Sequence, residues 1–232
     1  IEITPPDVNG DITHYEGEML VAILGKDVGE LQTISNTKAL ALEGFEINGE
    51  YFLAVGIVGD TNSVIYQYDA TLTTNPFKSI QDIPTKTARD WEYFNIGNKH
   101  FLVVANCGSA TTFNQDSNIY EYDVSRETNP FVLMQSISTS SGYDWEHFQI
   151  KDDHFLVVAN YRENSGNRDL TSIIYQYDAT RYNTDKTTAF EQIQSITTVG
   201  AVAWQYIKIG SDKHFLVVAN LNKNFEIYQY NE

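Results

Sequence analysis

Two aspartates stand directly before tryptophans in a recurring tripeptide, Asp90-Trp91-Glu92 and Asp144-Trp145-Glu146. Two carboxylates held ~5 Å apart repel by roughly 3 kcal/mol at an effective dielectric of about 20, so a proton, a base or a metal must offset them. Hard carboxylates with strand-end carbonyls suit Ca2+, and Asp11 is a candidate third ligand. The alternative is two separately hydrogen-bonded turn aspartates. Ala41 and Ala203 hold the equivalent places in other copies of the pattern, which thins the ligand set. Glu43, Glu92 and Glu146 also recur, with Gln205 in the fourth copy. Paired carboxylates can hydrolyse glycosides, but a catalytic pair needs two different environments to separate its pKa values. Residues copied into equivalent environments are expected to bind neighbouring backbone or solvent instead. By the same reasoning His100, His154 and His214 lie apart and do not chelate one metal. No phosphate loop, zinc spacing or nucleophile elbow is present.

Asn106, Asn160 and Asn220 close three copies of one heptapeptide, His-Phe-Leu-Val-Val-Ala-Asn. They border the segments that differ most between copies, Cys107–Ser117, Tyr161–Thr171 and the short Leu221–Asn224. A constant scaffold carrying one variable set of loops is the usual layout of a recognition surface. Asn106, Asn160, Tyr161, Arg162 and Asn220 are therefore the candidate ligand-binding residues, with turn capping as the competing role for the asparagines. Trp91, Trp145, Trp204 and the paired tyrosines are expected to pack the core rather than to form sugar platforms.

The elements that position these residues are strands. Trp145, His147 and Gln149 alternate with Glu146, Phe148 and Ile150, the period of a sheet with two unlike faces. The heptapeptide is a continuous apolar run, as for a strand covered on both sides. Ile-Tyr-x-Tyr follows at Ile65, Ile119, Ile174 and Ile227, and a Gln-x-Ile element at Gln81, Gln135 and Gln194. Gln32-Thr33-Ile34 is an earlier copy of that element. Hairpin turns fall at Gly97-Asn98, Lys151–Asp153 and Gly210–Asp212, and Asp69, Asp123 and Asp178 read as turn formers on the opposite rim. No helical apolar stripe of useful length appears. The unit is a four-stranded antiparallel meander of about fifty residues, within the range of propeller blades. The expected fold is all-β: a β-propeller of four-stranded blades, five in number, the first degraded. The whole chain, 1–232, is expected to be a single domain with blades at roughly 5–34, 35–83, 84–137, 138–196 and 197–232. Ile1–Thr4 is expected to supply the outer strand of the last blade, removing exposed edges.

The combination Asp-Trp-Glu-x-Phe-x-Ile, His-Phe-Leu-Val-Val-Ala-Asn, Ile-Tyr-x-Tyr-Asp and Gln-Ser-Ile resembles the epitempin (EAR or EPTP) repeat, over residues of about 30–232. That family includes the leucine-rich glioma-inactivated proteins. The resemblance implies a β-propeller, extracellular protein recognition rather than catalysis, and a cation held in the central channel. It also implies seven blades, more than the repeats found here.

The chain has 232 residues and a formal charge of −16. Such a charge repels phosphate backbones and anionic lipid surfaces, which argues against nucleic acid and membrane partners, and no run is long enough to insert into a bilayer. A chain of this size should bury roughly 70–75% of its unfolded surface without staples. Cys107 is the lone cysteine, a free thiol or the link in a homo-oligomer. A numbering that starts at Ile1 suggests a processed mature chain or an excised fragment, and secretion is the expectation. The expected role is a non-catalytic extracellular recognition module, lectin-like, binding carbohydrate on the loop rim or between blades. The alternative is a protein adhesion or receptor-binding module. Equal sites in several blades would favour glycan; one unique patch on the rim would favour protein.

Overall fold

The computed structural model describes residues 29–35, 38–109 and 112–231. The chain separates into a unit of Ile1–Ile34 and a unit of Ser35–Glu232, and the architecture below is that of the second. The expected degraded first blade, the closing strand Ile1–Thr4 and Asp11 lie outside the described residues. Gln32-Thr33-Ile34, expected as an outer strand, carries no strand.

Four sheets follow one another along the chain, every neighbouring pair antiparallel and every sheet in plain sequence order. The first holds β1 (Ala39–Ile47), β2 (Glu50–Ile57), β3 (Asp60–Tyr68) and β4 (Phe77–Lys86). The second holds β5 (Ala88–Ile96), β6 (Lys99–Asn106), β7 (Asn114–Tyr122) and β8 (Phe131–Ser140). The third holds β9 (Gly142–Ile150), β10 (Asp153–Asn160), β11 (Asp169–Tyr177) and β12 (Phe190–Val199). The fourth, among the described residues, holds β13 (Ala201–Ile209), β14 (Lys213–Asn220) and β15 (Glu226–Gln229). The first strands of successive sheets lie side by side, β1 by β5, β5 by β9 and β9 by β13. Sheets that meet along their first strands and pack face to face are the blades of a β-propeller.

The outer strands run further than the Gln-x-Ile motif suggests, and each passes to the inner strand of the next blade through one residue. Those residues, Thr87, Ser141 and Gly200, have φ of 54°, 54° and 65°. Only glycine adopts that region without cost, so Thr87 and Ser141 are held there by their surroundings. A small extra element departs from the all-strand expectation. The connection after β11 folds into α1 (Ala179–Thr184), and Lys186–Thr188 form a 3-10 turn. Asp178 caps α1, accepting from the Thr180 and Arg181 amides. The bare turns at Asp69 and Asp123 use the same bond to Thr71 and Ser125.

The core lies between blades rather than within them. Phe45, Phe52 and Ile65 meet Trp91, Leu102 and Phe131 across the first junction. Phe94, Phe101 and Ile119 meet Trp145, Leu156 and Phe190 across the second. Phe148, Phe155 and Ile174 meet Trp204 and Val218 across the third. The tryptophans are buried packing residues. At the outer edge a glutamine pins each junction. Gln81 accepts from the Phe131 N–H at 2.9 Å and donates to its carbonyl at 2.7 Å. Gln135 does the same to Phe190, both at 2.8 Å. The equivalent Gln194 is exposed and lines a 570 Å³ cavity with Ile193, Ile227 and Tyr230.

Gln135→Ala should leave the buried Phe190 N–H and C=O unpaired, at a cost of about 2–4 kcal/mol. A loss of that size corresponds to roughly 5–15 °C in melting temperature for a chain this long. Gln194→Ala, whose amide has no partner among the described residues, should cost less than about 0.5 kcal/mol. Equal melting temperatures for the two variants would show that the clamp contributes nothing.

Candidate functional site

The innermost strand of each blade is an edge strand, so one row of its N–H groups has no partner within the sheet. The carboxylates singled out in the sequence occupy that row. Asp90 Oδ2 accepts from the Trp145 N–H at 2.9 Å and Glu92 Oε1 from the His147 N–H at 2.9 Å. Asp144 accepts from Trp204 at 2.6 Å and Glu146 from Tyr206 at 2.7 Å. Glu43 accepts from Tyr93 at 3.3 Å. Ala41 and Ala203 offer no such acceptor. Asp90 and Asp144 thus come together, each joining its own blade to the next, as do the glutamates.

Packing five carboxylates along adjacent strands has an electrostatic consequence. Burial raises the pKa of Glu92 to about 8, and Glu146, Asp90 and Glu43 add to the rise by repulsion. Asp144 is raised by burial and then by Asp90, and Asp90 is raised by burial. The backbone N–H donors pull in the opposite direction but do not win. Raised pKa values and amide donors both lessen the repulsion between these acids. Among the described residues no three His, Cys, Asp or Glu side chains converge as a metal site.

The histidines are taken up within their own hairpins. Nδ1 of His100, His154 and His214 meets Tyr93 Oη at 2.8 Å, His147 Nε2 at 3.1 Å and Tyr206 Oη at 2.6 Å. His147 is pushed down to about 4 by burial and by His154.

The loop rim holds the second group. Asn106 accepts from the Lys86 N–H at 3.0 Å and donates to the Asp116 carbonyl at 2.8 Å. Asn160 accepts from Ser140 at 2.9 Å and donates to Thr171 at 2.8 Å. Asn220 repeats this with Val199 at 3.0 Å and Asn224 at 3.2 Å. Asn106 and Asn160 thus tether an outer strand to the third strand of the next blade, β4 to β7 and β8 to β11, and Asn220 tethers β12 to the loop before β15. Asn106 and Asn160 are buried, so both ends of these amides are spent on the fold rather than offered to a ligand. Cys107 is also buried, its Sγ 3.0 Å from Ser141 Oγ. That position withholds the thiol from an intermolecular bridge unless the rim opens.

Tyr161 and Arg162 sit in a different setting. The Tyr161 ring lies 4.4 Å from that of Tyr143. Arg162 lies 3.6 Å over Phe113, whose N–H donates to Asn164 Oδ1 at 2.5 Å. The loops of the second and third blades are thereby laced together. Arg89 stacks 4.6 Å over Tyr143 and Arg168 4.9 Å over Tyr161. Gly200 leaves room for this, because a Cβ there would meet Asn222 Oδ1 at 3.0 Å and Tyr161 at 3.5 Å. Arg89 and Tyr143 were not legible as site residues, since they lie on the inner strands β5 and β9, whereas Arg168 lies within the variable segment Tyr161–Thr171 itself. The available signal was Arg and Tyr at a position that holds Leu40 and Val202 elsewhere.

A family model described as the EPTP domain matches residues 77–123, 131–178 and 189–231. The thrombospondin-type laminin G domain and EAR repeat-containing protein of Mus musculus is 38% identical over 80% of this chain and 26% of its own length. The Homo sapiens protein of that name is 37% identical over 83% of this chain and 27% of its own. The chain spans about a quarter of the length of these relatives. Among solved structures, an α-L-arabinofuranosidase of Fusarium graminearum superposes with a TM-score of 0.53 at 8% identity, over 83% of this chain and 61% of that one. A Penicillium chrysogenum α-L-arabinanase gives 0.54 at 9% identity, over 83% and 62%. At such identity the likeness is one of fold, the β-propeller.

Because the native state keeps Glu92 protonated up to about pH 8 while the unfolded chain loses that proton near its ordinary value of ~4.3, stability falls as pH rises across this window. The slope is at most about 1.4 kcal/mol per pH unit for such a group. Glu92→Gln keeps an acceptor for His147 and removes the titration, so its melting temperature should overtake that of the parent by up to roughly 10–20 °C at pH 8. Parallel melting curves from pH 5 to 8 would refute the assignment. Asn160→Ala should cost about 2–4 kcal/mol through two orphaned backbone groups, read by urea unfolding. An unchanged midpoint would return Asn160 to the candidate ligand contacts.

Proposed function

The chain belongs to the EPTP-repeat family, and we propose that it is a non-catalytic extracellular recognition module that binds a protein partner through its loop rim. The observation that carries this reading is the singularity of the Tyr143–Tyr161–Arg162 cluster. Asn160 is followed by Tyr161, whereas Asn106 is followed by Cys107 and Asn220 by Leu221. Strand-position equivalents of Tyr143 are Arg89, Val202 and Leu40. A lectin-like role asks for equivalent sites in several blades; a patch built once favours a protein surface. The laced loops add preorganisation, which lowers the ordering cost of binding. Hydrolysis is disfavoured by geometry: each of Asp90, Glu92, Asp144 and Glu146 already accepts a backbone N–H of the next blade. Secretion is consistent with the family and with the absence, among the described residues, of any helix long and apolar enough to cross a membrane.

Replacing Tyr161–Arg168 by the short loop of the fourth blade, Leu221–Asn224, tests the reading. Binding of the fluorescently labelled protein to a panel of cells expressing single-pass ectodomains should fall about tenfold or more, the size expected when central contacts are removed, with folding retained by circular dichroism. Undiminished binding, or recognition of defined sugars on a glycan array with equal loss on changing any blade, would replace this reading with the lectin-like one.

A further inference from the structure

Arg89, Arg162 and Arg168 are three of the five arginines in a chain of net charge −16. They converge on three rings: Tyr143 and Tyr161, which touch, and Phe113, joined to Tyr161 through Arg162. Arg181, Lys186 and Lys223 each pair with a carboxylate elsewhere. None of the three rim arginines does so among the described residues, although the chain carries 31 acidic side chains. Arg168 has one neutral polar partner, Asn222 Oδ1 at 2.9 Å. The Nε atoms of Arg89 and Arg162 are buried without an acceptor among the described residues. Both guanidiniums bear on the Tyr143 hydroxyl, whose pKa burial raises and they lower.

Stability would have paired these cations with some of the surrounding acids. Stacking does something else: it fixes the plane of each guanidinium and leaves its terminal N–H groups in the fork that accepts a carboxylate through two bonds. Arginine on an aromatic face is also the side-chain type that dominates protein interfaces. We propose that Arg89, Arg162 and Arg168 form a docking site for an acidic segment of the protein partner, an assignment that rests on the rim being the contact face. A short segment with two or three carboxylates matches the patch, because charges beyond about 8 Å are screened at physiological salt. A long sulfated glycan would run on from the cluster over a surface of net negative charge. The apolar flank, where Leu221 is 61% exposed, suits the nonpolar neighbours of such a segment.

The test uses a fluorescein-labelled peptide rich in Glu and Asp, its Gln and Asn counterpart, and a heparin hexasaccharide, followed by fluorescence anisotropy with the whole chain. The acidic peptide should bind and the neutral one should not. Affinity should fall about tenfold between roughly 50 and 300 mM NaCl, as for a charge-steered contact. Arg162→Gln with Arg168→Gln should weaken it about tenfold or more, the loss expected for charge-assisted bonds, while Lys208→Gln, on an exposed part of β13, should leave it unchanged. Arg162→Lys keeps the charge and loses the fork, and should fall between. Melting curves check each variant, and Arg89→Gln alone replaces the double variant if that does not fold. Failure of the acidic peptide to bind, equal binding by the arginine variants, or binding of the hexasaccharide alone would overturn the proposal. Loss of cell binding on the loop graft, without competition by the acidic peptide, would overturn the acidic segment and leave the rim intact. No effect of the graft would remove both.

Discussion

An edge strand must do something with its unpaired N–H groups, and this fold answers by supplying a carboxylate from the blade before. Asp90, Glu92, Asp144 and Glu146 each take one such N–H from the next inner strand. The bond satisfies the edge, sets the height of one blade against its neighbour and blocks any foreign strand from pairing there. Its drawback is that acids accumulate along the inner strands, and burial with mutual repulsion then favours their protonated forms. At the outer edge the neutral amides of Gln81 and Gln135 hold the same junctions by two bonds each. Between these polar seams lie the tryptophan and phenylalanine clusters, whose burial supplies the main driving force.

Repetition and function pull on different parts of the blade. Positions that join blades must be alike in each copy, because each meets the same backbone. Positions on the rim meet solvent and can differ, and the cluster of Arg89, Tyr143, Tyr161, Arg162 and Arg168 exploits that freedom once. The rim is nonetheless not loose. Asn106 and Asn160 tie the outer strands to the strands on which its loops end, and Asn164 crosses from one loop to the next.

Much of this was legible from the residues. Identical heptapeptides placed the second strands, and alternation about the tryptophans placed the first. The expectation that recurrent acids would bind neighbouring backbone follows from their repetition, and the hydrogen bonds bear that reading out. What stayed hidden was anything between distant strands. Gln-x-Ile reads as a strand, but nothing local says that its glutamine grips a phenylalanine some fifty residues later. Arg89 and Arg168 come together only through Tyr143 and Tyr161, which no linear pattern connects. The asparagines bordering variable loops looked like candidate contacts because sequence shows adjacency to a loop and not the partners of an amide. The helix after Asp178 escaped notice because six residues are too few to show an apolar stripe.

The single-residue passage from outer to inner strand at Thr87, Ser141 and Gly200 sets where this architecture can grow. A strand displaced by one position presents its opposite set of side chains to each face. One added residue at Ser141 would turn Trp145 away from its cluster and carry Asp144 out of reach of Trp204. The connections after Asn160 and after Asp178 have no such coupling, and they have lengthened here, one into the rim loop and the other into a helix. In this chain length varies at the two ends of the blade, while the passage between blades is one residue at all three junctions.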